Sequence, residues 1–317
     1  MLSTRKRRTT ATLLQDLLAV AKLTGVRASE AALQRVLSRF EAGFTGHSVQ
    51  IRTTTKPVER RDLCFRYLDL ESGINPLDIA ERSRELVDDG HPHHSWLRRV
   101  EARFPSLGYG ADFEARHGLA KIWNFLDSAH DPRAFLEVPM PRAYRASLPL
   151  LRDLHLDAVA IVGADYVNRS INLYFRPSHA DHRGPALLAQ ACTRLGFTPP
   201  SEAALAHAAQ AGCIAFTFGW DAPEIERICF YVAGFHRDEV PDHHPHLRLF
   251  SRAAPALIQH PRFIVGWSHG RTQPYLKIED DYTGDVTEVF AEAMSVPVAP
   301  HAVPNMRESP ALHLPSL

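Results

Sequence analysis

Residues 165–175 read DYVNRSINLYF, and from Arg169 onward the stretch alternates in an unusual sense. Ile171, Leu173 and Phe175 fall on one face of a strand and Asn172 and Tyr174 on the other, because successive side chains of an extended chain point to opposite faces. Four other segments alternate in the same way. Leu63, Phe65 and Tyr67 oppose Cys64 and Arg66; Ile122 opposes Lys121 and Trp123; Ile228, Phe230 and Val232 oppose Arg227 and Tyr231; Leu276 and Ile278 oppose Lys277 and Glu279. One face of each segment suits packing under helices, while the other collects cations and aromatic rings. If all five belong to one closed sheet, its interior gathers Arg66, Lys121, Arg227, Lys277, Asn172 and Tyr174. That is the lining of a polyanion site rather than of a core.

Around these segments the chain repeats one order, helices followed by a hairpin. Leu14, Leu17, Leu18 and Ala21, then Leu33, Val36, Leu37 and Phe40 after a Ser29 N-cap, have helical spacing and precede strands near 47–56 and 61–68. Helical patterns at 76–87 and 95–102 precede strands at 107–114 and 118–126; those at 132–136 and 141–154 precede 158–166 and 169–175. Patterns at 185–195 and 201–210 precede 213–220 and 225–234, and one at 246–259 precedes 263–268 and 274–281, before a closing helix at 285–293. Units recurring every ~55 residues mark a repeat architecture. A TIM barrel would alternate single strands with single helices, whereas hairpins make neighbours antiparallel. The expected fold is therefore a ten-stranded antiparallel barrel with a central solvent-filled cavity and helices outside, built from five ααββ units.

At 317 residues the chain fits one large domain, with boundaries expected at 11–295, a basic extension at 1–10 and an irregular tail at 296–317 that is rich in proline. Lys plus Arg and Asp plus Glu both number 36, so no global field attracts nucleic acid or an anionic membrane, and any cation cluster must be local. Cys64, Cys192, Cys213 and Cys229 lack CxxC spacing and read as reduced thiols, which points to a cytoplasmic setting. The first helix carries Asp16, which argues against a signal peptide. A monomer is expected.

The strongest local motifs are DYVNRSINLYF at 165–175, IERICFYV at 225–232 and VGWSHGRTQPYLKIEDDYTGD at 265–285. With the repeat order, they make the chain from about residue 10 to 295 resemble the ABBA aromatic prenyltransferases. Its nearest likeness is to the magnesium-independent branch that includes the 4-hydroxyphenylpyruvate prenyltransferases. The resemblance implies a diphosphate held inside the barrel by Arg52, Lys121, Asn172, Tyr174, Arg227 and Lys277, of which Arg52 is added by the match alone. It implies dimethylallyl or geranyl diphosphate as donor, a small aromatic acceptor, Glu279 as base, and no cofactor. Magnesium-dependent members carry an aspartate on the second strand where this chain has Cys64, a poor ligand for a hard cation.

The prenyl and acceptor pocket is assigned to Arg66, Trp123, Ala160, Val162, Tyr231 and Asp281. Relatives acting on 4-hydroxyphenylpyruvate carry an arginine at the position matching Ala160, so a flatter, bulkier acceptor is expected here. Each assignment has a structural alternative: lone cations that snorkel to solvent at strand ends, Glu279 neutralising Lys277, or Arg66 paired with Glu279. The same cations would also suit a binding-only barrel for an anionic aromatic metabolite. Asp285-Val-Thr-Glu288 reads as a capping pair for the closing helix rather than an aspartate-rich metal motif. His91, His93, His94 and His243, His244, His246 read as loop residues, not as a metal site.

Overall fold

The alternating segments become ten strands that close on themselves in the computed structural model, which describes residues 9–176, 185–241 and 244–299. The strands are β1 (Ser48–Thr54), β2 (Leu63–Asp69), β3 (Ser106–Glu114), β4 (Gly118–His130), β5 (Val159–Asp165), β6 (Ser170–Phe175), β7 (Cys213–Gly219), β8 (Ile225–Phe235), β9 (Phe263–Gly270) and β10 (Tyr275–Asp281). Every neighbouring pair is antiparallel, and β1 pairs with β10 to complete the barrel. Closure leaves no unpaired edge.

Helices α1 (Thr10–Thr24), α2 (Glu30–Arg39) and α3 (Glu41–Gly46) precede β1; α4 (Pro76–Arg82) and α5 (Pro92–Arg103) precede β3; α6 (Arg142–Asp153) precedes β5. Then come α7 (Pro185–Arg194) and α8 (Glu202–Ala208) before β7, α9 (Pro245–Ala253) before β9, and α10 (Val286–Ala293) at the end. Ser29 caps α2 as its sequence predicts, accepting from the Ala32 N–H. The element at Pro132–Glu137 is a 3-10 helix. Periodicity did not announce α3, which is too short to show a repeat; it carries Phe44 into a ring cluster with Phe65, Tyr67 and Phe113. Burying each such ring contributes about 1.5–3 kcal/mol.

Two apolar clusters divide on the barrel wall. The outer one joins Phe65, Ile122, Leu173, Ile228 and Ile278 to helix residues such as Leu17, Val36 and Trp96. The inner one holds Trp123, Phe125, Ile161, Tyr174, Tyr231 and Ile264 together with Val286, Met294 and Val296. The start of the expected irregular tail is thus part of the fold: Val298 bridges Ala129, and Arg176 donates to the carbonyls of Met294 and Val296. With α10, this segment adds Val286, Ala293, Met294 and Val296 to the inner cluster. The rest of the tail and residues 1–8 lie outside the described residues.

Candidate active site

A cavity of about 40 Å³ opens in the barrel lumen. Its polar lining is Gln50, Arg52, Arg66, Lys121 and Glu279; its rings are Trp123, Phe125, Tyr174, Tyr231 and Phe290; Leu68, Ile161 and Ile264 complete it. Asn172, Arg227 and Lys277 stand on the same lumen face of their strands and act at one end of this space, since Lys277 and Arg227 both depress the Lys121 ammonium. Burial is the larger cause, and Lys121 is pushed down to about 8 although Asp165 lies 3.5 Å away.

Most lumen charge is internally compensated. Arg52 pairs with Asp112 at 3.2 Å, Arg66 bridges Asp112 at 3.2 Å and Glu279 at 3.1 Å, and Lys121 faces Asp165. Of the five lumen cations, Arg227 and Lys277 contact no carboxylate among the described residues. Arg227 instead donates to Thr217, whose hydroxyl donates to Asn172 Oδ1, while Lys277 donates to the Tyr231 hydroxyl at 2.8 Å. The Asn172 amide NH2 is buried without a partner among the described residues. Uncompensated cations beside an unused donor suit an anion.

The rings are fixed next to these charges. Trp123 donates to the Tyr174 hydroxyl at 2.9 Å, and the Tyr174 and Tyr231 rings lie 6.3 Å apart. Two glycines make room: a Cβ on Gly163 would stand 2.7 Å from Trp123 Cδ1, and one on Gly266 3.0 Å from Tyr231 Cε1. Existing cations already test the ring faces, with Arg66 at 4.9 Å from the Trp123 centroid and Lys277 at 5.1 Å from that of Tyr231.

Several expectations are corrected. Glu279 pairs with Arg66, not with Lys277, and its second oxygen has no partner among the described residues. Val162 lies outside the wall, in the cluster under the helices. A bulge explains it: Val159 opposes Phe175 and Ile161 opposes Tyr174, so Ala160 is an extra residue and parity reverses beyond it. Ala160 does belong to the inner cluster, but Ile161 beside it lines the cavity. Asp281 does not line the cavity. It accepts from the Gly284 and Val286 N–H groups and so caps α10, the task expected of Asp285, which accepts from Thr283 instead.

Among the described histidines of these clusters, His91 and His244 cap helices, and His93, His94 and His246 stand within α5 and α9 rather than in loops. His91 and His244 each begin a His-Pro-His run and accept from the N–H two residues on, opening α5 and α9; His246 bonds Thr53 and Arg61. His243 lies outside the described residues. Asp88, Asp89 and His94 come together on the surface, where Asp89 is bound by Arg169. Sequence reasoning missed Gln50, Leu68 and Phe125, although each sits two residues from an assigned neighbour. It had no signal for Ile161, Ile264 or Phe290.

A closed antiparallel barrel ringed by helices, with uncompensated cations and ring faces in its lumen, defines a class of barrel that takes an anion and a cation-stabilising environment into one space. The sequence profile of the family described as Aromatic prenyltransferase Orf2 matches residues 9–294. The chain belongs to that family and is an aromatic prenyltransferase. It is 28% identical over 288 residues to the 4-hydroxyphenylpyruvate 3-dimethylallyltransferase of Streptomyces niveus, covering 87% of this chain and 85% of that one. It is 29% identical to the 5,10-dihydrophenazine-1-carboxylate 9-dimethylallyltransferase of Streptomyces anulatus, over 67% of this chain and 72% of that one. In fold it is similar to the 5-dimethylallyl tryptophan synthase of Streptomyces coelicolor, whose structure was solved with DMASPP and Trp, with a TM-score of 0.51 at 12% identity over 94% of this chain and all of that one. No helix among the described residues is long and apolar enough to cross a membrane.

Proposed function

We propose that the chain moves a dimethylallyl group from its diphosphate to a fused-ring aromatic acceptor that carries one acidic group. The observation that carries this reading is the pair of uncompensated cations, Arg227 and Lys277, beside the rings of Trp123, Tyr174 and Tyr231. As the C–O bond breaks, charge grows on the departing diphosphate. Arg227, Lys277, Lys121 and the Asn172 amide stabilise it by preorganised charge and hydrogen bonds. The allyl cation left behind is stabilised by ring faces, and the closed wall keeps water from quenching it.

The acceptor stands on the opposite side of the rings. Arg66 Nη2 is a buried donor without a partner among the described residues and is available to a carboxylate or phenolate. Leu68, Phe125, Ile161, Ile264 and Phe290 offer flat apolar surface. After the acceptor carbon attacks, Glu279 Oε1 takes the ring proton. Both curated relatives are named for acceptors with a carboxylate, one monocyclic and one tricyclic; the apolar lining favours the larger kind.

Arg52 Nη2 lies 2.8 Å from Cys64 Sγ, and burial, only partly opposed by Arg52, pushes the Cys64 thiol up to about 12. A neutral thiol under a guanidinium is no site for a hard cation, which supports turnover without magnesium. The test of the whole reading is incubation with dimethylallyl diphosphate and a panel of phenols, indoles and phenazine acids. Prenylated fused-ring product with diphosphate release is expected. Efficient use of 4-hydroxyphenylpyruvate with fused rings ignored would overturn the acceptor assignment.

A further inference from the structure

Tyr275, at the start of β10, shares the lumen face of Lys277 and Glu279, yet no role for it follows from the alternation of the strands. Three cations from three elements meet it. Arg227 on β8 donates to its hydroxyl at 3.2 Å, the Lys56 ammonium beyond β1 lies 5.1 Å from its ring centroid, and Lys277 follows it on β10. Ser268 faces it from β9, and His207, His244 and His269 share a cavity with it outside the wall. The nearby carboxylates are engaged elsewhere: Asp62 with Lys56, and Asp165 with Lys121. No carboxylate contacts Arg227 or Lys277 among the described residues; the oxygens bound to Arg227 are the Thr217 hydroxyl and the Tyr275 phenol, and of the two only the phenol ionises.

We propose that Tyr275 is a further catalytic residue at the diphosphate end, the donor of a proton to the departing diphosphate. Burial alone would raise its phenol, but Arg227, Lys277 and Lys56 together bring it down to about 7. Near neutral pH it is therefore divided between phenol and phenolate, and at pH 8 the phenolate predominates. A diphosphate entering the cluster takes over those cations, and the phenol regains its proton. When the carbon–oxygen bond of the prenyl diphosphate breaks, the electron pair stays on oxygen and the Tyr275 O–H proton passes to a diphosphate oxygen. The phenolate left beside Arg227 stays ionised as diphosphate leaves and takes up a proton from solvent when the next prenyl diphosphate binds, so the cycle balances. This inference rests on the reading of the cluster as a diphosphate site.

Calorimetric titration of the full chain with inorganic pyrophosphate at pH 8, in buffers of different ionisation enthalpy, counts protons taken up on binding. Lys121 and pyrophosphate itself contribute equally in Tyr275→Phe, so the difference between the two proteins isolates Tyr275. Wild type should take up about one proton more per pyrophosphate than Tyr275→Phe. The variant should still bind pyrophosphate, which also reports its folding, and should lose about 10²-fold in kcat without a change in KM for the acceptor. Equal proton uptake, or unchanged kcat, overturns the inference alone. Failure of wild type to bind pyrophosphate overturns the site reading and the inference with it.

Discussion

Arg66 Nη1 lies 3.1 Å from Glu279 Oε2, although their strands β2 and β10 are separated in the sheet by β1. The contact spans β1 along the inner wall, and through Nε the same guanidinium reaches Asp112 on β3. Removing one partner of a buried pair costs about 3–5 kcal/mol, so Arg66→Ala is expected to destabilise the fold visibly in urea unfolding. Glu279→Gln keeps an acceptor oxygen for Arg66 but removes the base. It should lower kcat by about 10²-fold with diphosphate affinity intact. Wild-type turnover in that variant would exclude Glu279 as the base.

Arg227 and Lys277 make their polar contacts with Thr217 and tyrosine oxygens, so deleting either strands no buried carboxylate. Arg227→Ala and Lys277→Ala should fold normally by thermal denaturation. Each should weaken binding of a non-reactive prenyl diphosphate analogue by about 1.5–3 kcal/mol. Unchanged affinity in both variants would remove the diphosphate from this end of the barrel.

Because Arg52, reaching from β1, covers Cys64 and also pairs with Asp112, a guanidinium stands over the second strand where a magnesium site would need oxygen. Activity is expected to survive EDTA and to be unaffected by added magnesium. Loss on chelation that magnesium restores would point to another carboxylate set.

The sequence carried the barrel and most of its lumen because period two is mechanical: once Arg66, Lys121, Arg227 and Lys277 oppose apolar neighbours, closure turns them all inward. It failed where backbone geometry broke the period. The bulge at Ala160 reversed the parity of β5, exchanging Val162 for Ile161, and nothing in the residue types there marks it. The pairing inside the lumen was also hidden, since Asp112 and Asp165 become partners of Arg52, Arg66 and Lys121 only through register across strands. Phe290 reaches the cavity from the closing helix, a tertiary placement that no local pattern encodes.

Gly163 lies under Trp123, and a methyl group added there would meet the indole at 2.7 Å with its Nε1 at 2.9 Å. Gly163→Ala must therefore displace the ring and weaken its bond to Tyr174. Such overpacking costs about 1–3 kcal/mol. A shifted tryptophan emission spectrum and a rise in KM for the prenyl diphosphate are expected; an unchanged spectrum with normal kinetics would show that the indole position does not matter.

Asp280 points away from the lumen on β10, paired across the sheet with Ile51 and Phe263, and is fully buried with neither oxygen hydrogen-bonded among the described residues. Burial first, then the neighbouring Asp281, hold its carboxyl well above the usual range, and Arg237 opposes this only in part. Unfolded, the group ionises above about pH 4; folded, it keeps its proton. The folded state then binds more protons, and stability falls as pH rises above the unfolded value, by about 1.4 kcal/mol per unit for one group. Asp280→Asn has no such proton to hold. Asp281, brought to about 6, titrates in both proteins and cancels in the comparison. Urea unfolding at pH 5, 6 and 7 should give a steeper fall for wild type than for Asp280→Asn, and parallel profiles would mean that Asp280 is ionised in the folded protein.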